Sequence, residues 1–463
     1  MPRVVIVGAG ISGLALAYRL QQARPDAIIT ILEQRPRPGG TVWTERRDGY
    51  QLEVGPNGFL DSKPSTLALC RDLGLGEQLV PASESASRNR FLFLGGKLRP
   101  LPAGPISFLF SDLLSWRGKL AILAERFRRP RCDARDESID AFVRRRAGRE
   151  AAEVLADALV TGIYAGDPAL LSVRAAFPRL VEWEEAYGSV LKGLMQTARR
   201  RRAEAAARGE PYPRPGRMWS LRPGLRLLIE TVCDQLRQPP LLGVAVKRIE
   251  RMAADRPGWV VRGEGDDRWP ADVVVLACPA YQQAAILADL DRELAEQIDA
   301  IAYNRVAVVG LGYRRADVPV SLDGFGYLAP QRSRRDLLGV QWCSSIFPER
   351  APAGHVLLRA MCGGWHRPEV VGWEDARLLE AVRADLRLAL GIQAAPVFHQ
   401  VVRWDRAIPQ YHVGHLERVA DIEQRAARHR GLFLTGNAYR GVALNDCTEQ
   451  AERLAGRIAA FLG

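Results

Sequence analysis

The chain opens on an apolar run, Val4 to Val7, and its next apolar positions, Leu14, Leu16, Ala17 and Leu20, share one face of a helix. A second apolar run spans 28–32, so the first segment is predicted to fold as strand, helix, strand. Phe91 to Leu94, then Gly95-Gly96, then Lys97-Leu98 predict a hairpin over 91–101. From 111 to about 208 the texture is helical. Segments 112–127, 138–146, 149–160 and 189–208 are rich in Ala, Leu, Glu and Arg, and Asp136 and Ser138 are candidate caps. The stretch 218–236 holds the turn Arg222-Pro223-Gly224 and a further helix. Strands are predicted at 244–249, 259–262 and 273–277. Between 300 and 400, short strands at 306–311, 325–329 and 356–361 alternate with loops and one helix at 374–390. Leu432-Phe433-Leu434 and a helix from about Asp446 close the chain.

This order predicts two kinds of layer. The opening unit is α/β, and the strand at 273–277 is apolar enough to join its sheet. The middle is α+β, an antiparallel sheet with helices. There is no internal repeat, and the one biased tract is the Arg/Ala-rich stretch 198–208.

Composition narrows the partners. A chain of 463 residues can bury a large core and build more than one domain. Its net charge is +12, and only five of its 65 basic residues are lysine. A positive balance favours anionic partners: acidic substrates, anionic lipid or nucleic acid. Nucleic acid drops out first, because no zinc-ligand spacing, helix-turn-helix cue or aromatic ribonucleoprotein motif is present. The seven cysteines (70, 132, 233, 278, 343, 362 and 447) are odd in number and form no C-x-x-C, so reduced thiols and a cytoplasmic setting are expected. No metal site is expected, since His412 and His415 are the nearest histidine pair and lack a third ligand. With a nucleotide strand starting at residue 4, no signal peptide is expected. No run nears the ~20 apolar residues of a membrane span.

The first candidate chemistry is Gly8-Ala9-Gly10-Ile11-Ser12-Gly13, placed between the first strand and helix. Gly8 permits a tight turn, Gly10 lets a pyrophosphate approach the backbone, and Gly13 lets the helix pack close to the strand. The helix N-terminus favours the phosphates. Glu33, at the tip of the second strand, is placed to accept from ribose hydroxyls. Only one such loop is present. A reductase that takes hydride from a nicotinamide usually needs a second, so the bound cofactor is itself the redox centre, which points to FAD.

Arg35 to Gly40 followed by Thr41 resembles the R-x-x-x-G-G extension of the flavin-dependent amine oxidase superfamily. Four further stretches narrow the likeness: Gly55-Pro56-Asn57-Gly58-Phe59-Leu60, Thr161-Gly162-Ile163-Tyr164-Ala165-Gly166-Asp167, Ile408 to His415, and Gly436 to Cys447. On these motifs the chain resembles, over essentially its whole length, the oxygen-dependent, FAD-containing protoporphyrinogen oxidase family. The resemblance implies a Rossmann-like FAD-binding domain from 1–85, 216–285 and 401–463. It also implies a mixed-sheet substrate domain from 86–104 and 286–400, and a helical membrane-associating domain at 105–215. FAD would be held by Gly8, Ala9, Gly10, Ile11, Ser12, Gly13, Glu33, Gln34, Gly40 and Thr41. Gly55, Pro56, Asn57 and Gly58 would pass close to the flavin ring, and Trp404 would pack near it. Val246 would contact the adenosine side through its backbone. Val442, Ala443 and Leu444 would offer backbone N–H groups beside the pyrimidine end, where donors stabilise the reduced ring.

The implied reaction removes six electrons from protoporphyrinogen IX in three two-electron steps, in haem biosynthesis. Hydride passes from a ring or bridge carbon to flavin N5, a pyrrole N–H proton departs, and O2 reoxidises the flavin to give hydrogen peroxide. Arg90 would pair a propionate as a fork suited to carboxylate. Phe325, Leu328 and Met361 would sandwich the macrocycle, and Gly162 and Gly166 would keep the slot open. Asn57 is the candidate catalytic residue, orienting the substrate or polarising an N–H. Lys63 departs from the pattern. A basic residue there resembles the related coproporphyrinogen oxidases, whose substrate has four carboxylate arms. Lys63 is therefore a candidate partner for an extra propionate, and coproporphyrinogen III is the alternative substrate. Amine oxidation within the same FAD frame is a second alternative.

One stretch remains. Ile106, Phe108, Leu109, Phe110, Leu113, Leu114, Trp116, Leu120, Ile122 and Leu123 are flanked by Arg117, Lys119, Arg126, Arg128, Arg129 and Arg131. Apolar residues with Trp and a basic border form the pattern of an interfacial helix. Peripheral attachment to the inner face of the cell membrane is expected. The family often forms homodimers, and no residue in this sequence fixes an interface.

Overall fold

A computed structural model describes residues 1–102, 104–131, 133, 135–207, 216–252 and 258–463. Cys132 and Arg208, the last residue of the predicted helical tract, lie outside the described residues.

Val4, Ile6, Val273 and Val275 are all fully buried, which is why their strands read as unbroken apolar runs. They belong to a parallel sheet in the order Leu241–Leu242, Ile28–Glu33, Arg3–Val7, Val273–Leu276, Leu432–Leu434. Helices Ile11–Ala23, Arg226–Asp234 and Leu444–Phe461 cover one side. Helices Ala280–Leu287 and Arg292–Asp299, with a three-stranded antiparallel sheet of Arg248–Arg251, Trp259–Arg262 and Arg268–Ala271, cover the other.

The second large sheet runs Phe398–Trp404, Val306–Arg314, His355–Gly363, Leu337–Trp342, Gly326–Leu328, Arg90–Leu94, Lys97–Pro100. Its neighbours are antiparallel except where Gly326–Leu328 lies parallel to Arg90–Leu94, so the sheet is mixed. Side chains alternate between faces with period two. One face carries Phe93, Tyr327, Val340, Ala360 and Val309 and packs on Leu378, Val382 and Leu386 of helix Asp375–Leu390. The other carries a row of Leu92, Leu328, Gly339, Met361 and Val308, and two residues along, a row of Arg90, Gly326, Gln341, Arg359 and Gly310. Opposite that face lie helical segments, among them the turn over Ala152–Ala156 and helix Asp157–Tyr164.

Several predicted elements shift. Residues 244–247 are not strand: Val244 N–H donates to Glu33 O at 2.9 Å and Gly243 N–H to Arg35 O at 3.1 Å, so the chain crosses the end of the second strand. Strand structure resumes only at Arg248. The helix predicted at 149–160 is interrupted by a wider π-type turn over Ala152–Ala156, with Val154 in the cluster of Leu92 and Leu114 and Ala156 in that of Ile139 and Phe142. The segment 112–127 becomes helical only at Trp116, where Ser115 Oγ accepts from Gly118 N–H. Ser138 caps its helix, whereas the Asp136 carboxylate instead binds Ser172 Oγ at 2.8 Å and Gly414 N–H at 3.0 Å. A boundary at 400/401 falls inside Phe398–Trp404, which pairs with Val306–Arg314 from Phe398 to Trp404.

Candidate active site

The glycine loop is built by exclusion. Gly8 has φ +108°, and a Cβ there would come within 2.9 Å of Cys278 N. A Cβ on Gly13 would lie 2.0 Å from Gly8 O, so helix and strand approach closely only because it is absent. Gly10 faces the other way, and nothing lies within 4 Å of the place its Cβ would take. Ala9, Ile11 and Ser12 are buried around it. Glu33 is 7% exposed, with Oε2 accepting from Ala9 N–H at 2.8 Å and Oε1 from Arg35 N–H at 2.9 Å. The carboxylate braces the loop and keeps further lone pairs for a ribose. Exposed Gln34 follows it. Gly39 N–H donates to Ala9 O at 2.7 Å, and Gly40 lies against Gly10, so the R-x-x-x-G-G extension folds onto the loop. Val246 is half-buried, on the segment that crosses Glu33.

The turn at Gly55 draws distant residues together. A Cβ on Gly55 would lie 2.0 Å from Thr41 O, Trp404 Nε1 donates to Val54 O at 2.9 Å, and Arg359 Nη2 donates to Gly55 O at 2.5 Å. Pro56 follows, Gly58 backs onto Trp219 O, and Asn57 is buried with no partner for Nδ2 among the described residues. At the far end of the chain, helix Leu444–Phe461 starts against the same region: Asn445 Nδ2 donates to Leu60 O at 2.5 Å, and Ser65 Oγ to Asn445 O at 2.9 Å. Ala443 N–H is taken by Asp446 Oδ2 at 3.0 Å, while the amides of Val442 and Leu444 have no hydrogen bond among the described residues. Lys63 Nζ binds Asp446 Oδ1 at 2.6 Å and Glu449 Oε2 at 3.0 Å, so its ammonium is engaged by two carboxylates of that helix.

On the sheet side, the Arg90 guanidinium stacks over Phe325 at 4.8 Å and has no carboxylate partner among the described residues. Leu328 and Met361 stand in one row, separated only by Gly339. A Cβ on Gly162 would lie 2.9 Å from Leu328 Cδ1, so that helix touches the row. Gly166 stands elsewhere in the packing: the place of its Cβ is filled by Gln410, whose Oε1 would be 2.3 Å away.

Three buried polar groups escaped the sequence pattern. Arg359 donates to Gln341 Oε1 at 2.8 Å as well as to Gly55. Glu53 and Arg350, both about 1% exposed, pair at 3.6 Å, and burial pushes the Glu53 carboxyl above its ordinary range while Arg350 pulls it back. Arg334 and Asp157 pair at 3.5 Å beside Thr161, and desolvation likewise raises Asp157. The one available signal was an arginine inside the otherwise apolar strand Leu357 to Cys362.

Residues 11–459 match the profile of the family described as flavin containing amine oxidoreductase. The chain belongs to that family. It is therefore an oxidoreductase, and FAD is its cofactor. The open side of Gly10, the unengaged Val442 and Leu444 amides and the orphaned Asn57 Nδ2 fit such a group. The chain is 35% identical to the chloroplastic protoporphyrinogen oxidase of Nicotiana tabacum, over 99% of its own length and 85% of that protein's. It is 30% identical to the coproporphyrinogen III oxidase of Bacillus subtilis, over 97% and 96% of the two chains. A crystal structure from Exiguobacterium sp., provisionally named a protoporphyrinogen oxidase, superposes with a TM-score of 0.84 at 29% identity, covering 99% of each chain.

Proposed function

We propose that this chain oxidises a porphyrinogen to the porphyrin, with protoporphyrinogen IX as the preferred substrate. The sheet face supports this: Arg90, a cation with no carboxylate partner among the described residues, stacks on Phe325 beside an apolar row of Leu328 and Met361. A broad apolar macrocycle with carboxylate arms suits such a face. Arg90 binds one propionate as a fork. Leu328 and Met361 lie flat against the ring and keep water away, and Gly162 packs on Leu328 at the edge of that row. Asn57, at the turn, orients the macrocycle through Oδ1, which accepts from a pyrrole N–H. When bound, FAD accepts an electron pair per step and passes it to O2, releasing hydrogen peroxide.

The alternative is coproporphyrinogen III. Its two extra carboxylates call for further cations, and Lys63 is already held by Asp446 and Glu449, which favours the two-armed substrate. Turnover of both porphyrinogens by purified protein, followed by porphyrin fluorescence, tests the reading. Higher kcat/KM on protoporphyrinogen IX supports it; preference for the coproporphyrinogen reverses the substrate assignment, and inactivity on both removes it. Peroxide release from simple amines would instead support amine oxidation.

The domain division by segment, with flavin, substrate and helical parts, belongs to the same proposal. So does peripheral attachment to the inner face of the cell membrane. Phe110, Trp116, Leu120 and Phe127 are exposed, next to Arg117 and Arg129. Lys119 is turned inward, donating to Leu109 O and Ser111 O. No helix among the described residues is long and apolar enough to cross a membrane. Sedimentation of the purified protein tests whether it is a homodimer.

A further inference from the structure

Arg359 stands in the second row of the substrate-facing side of the mixed sheet, between the apolar row and the turn at Gly55. Its side chain is built in. Nη1 donates to Gln341 Oε1 at 2.8 Å and reaches Met361 Sδ at 3.7 Å, and Nη2 donates to Gly55 O at 2.5 Å. The residue is 4% exposed, and its Nε is buried with no acceptor among the described residues. All its acceptors are neutral. The nearby buried carboxylate is Glu53, and Glu53 is already shared between Arg350 at 3.6 Å, Thr44 Oγ1 at 2.9 Å and Leu225 N–H at 2.9 Å. Among the described residues two buried guanidiniums thus face one buried carboxylate, which leaves one positive charge uncompensated. Such a charge is costly to bury. Its position relative to Gly55 explains why it is there.

Unlike Arg90, this guanidinium is not an open fork for a substrate arm, because Gly55 O and Gln341 Oε1 already engage it. What can respond to a buried charge without touching it is a redox group whose own charge changes. Flavin becomes more negative on reduction, and the Coulomb field of a cation acts through a low-dielectric interior over several ångströms. We propose that Arg359 is an electrostatic positioning residue that stabilises reduced FAD through the Gly55 turn and so raises the flavin's reduction potential. Gln341 fixes the guanidinium against the turn. The inference rests on the flavin lying beside Gly55 to Gly58 and not on which porphyrinogen is oxidised.

The test is the midpoint potential of the FAD-loaded protein without substrate, with sulfite affinity for the oxidised flavin as a second spectroscopic readout. Arg359→Met shifts the equilibrium toward oxidised flavin about tenfold, which is about 30 mV for a two-electron couple, and weakens sulfite binding in parallel. Arg359→Lys, which keeps the charge, retains most of the original potential. Gln341→Glu neutralises Arg359 where it stands, lowers the potential similarly, and serves equally where Arg359→Met does not fold. Asn57→Asp puts a charge on the turn itself. If Asn57→Asp lowers the potential while Arg359→Met or Gln341→Glu leaves it unchanged, the turn lies beside the flavin and the role of Arg359 is overturned. If all are unchanged, the placement of the turn fails and the inference falls with it.

Discussion

Glu53 and Arg350 meet below the Gly55 turn, and each depends on the other. Arg350→Met leaves Glu53 buried without its guanidinium and costs about 3–5 kcal/mol. Because burial raises the folded Glu53 value, folding favours its protonated form. Its contribution is therefore fully present below the unfolded value and is lost as pH rises through the folded one. The Arg350→Met penalty is accordingly larger at about pH 8 than at about pH 5 in denaturation midpoints. His415 runs the opposite way. Its ring stacks on Tyr411 with centroids 4.1 Å apart, Nε2 faces Tyr439 O at 3.0 Å, and burial holds its pKa down to about 4. The folded protein keeps it neutral, so stability falls as pH drops from about 6.5 to about 4, by up to about 3 kcal/mol. His415→Phe flattens that acid limb in a melting-temperature profile. None of these pairings was legible from sequence. A chain with 65 basic residues gives no sign of which are buried, and Arg359 finds its partners at Gly55 and Gln341, one of them hundreds of residues away.

At the scale of elements, local pattern served where local forces decide. Strands buried on both faces, the hairpin at Arg90–Leu94 and Lys97–Pro100, and helix Asp375–Leu390 follow from apolar runs, a two-glycine turn and period 3.6. It failed where a distant neighbour decides: 244–247 lies across the end of Ile28–Glu33, and the π-type turn at Ala152–Ala156 answers to what packs on both its sides. The C-terminal helix offers a test. Asp446→Ala removes the acceptor of Ala443 N–H and one partner of Lys63, and lowers stability by about 1 kcal/mol in a denaturant titration, with weaker FAD retention. The exposed helices offer another. Phe110 is 83% exposed and Leu120 61%, so Phe110→Ser with Leu120→Ser leaves the melting temperature unchanged. The same pair of changes removes co-flotation with anionic phosphatidylglycerol vesicles.

For the whole molecule, the family was legible because its motifs are contiguous: the glycine loop, the Gly55 turn and the Gly436 to Cys447 segment each survive as short strings. What they form together was not. Thr41, Gly55 and Trp404 meet only through the fold, and the rows that align Arg90 with Arg359 and Leu328 with Met361 depend on register across four strands. On that face, Arg90→Ala raises KM for a porphyrinogen about ten- to hundredfold with kcat little changed, as expected for loss of a charged hydrogen bond made equally in ground and transition states. Everything above turns on FAD in this chain taking electrons from a porphyrinogen. Anaerobic mixing of the FAD-loaded protein with protoporphyrinogen IX measures it most directly. The visible flavin band bleaches within the turnover time, and porphyrin fluorescence appears on admission of O2; a flavin that stays oxidised against excess porphyrinogen rules out the assignment.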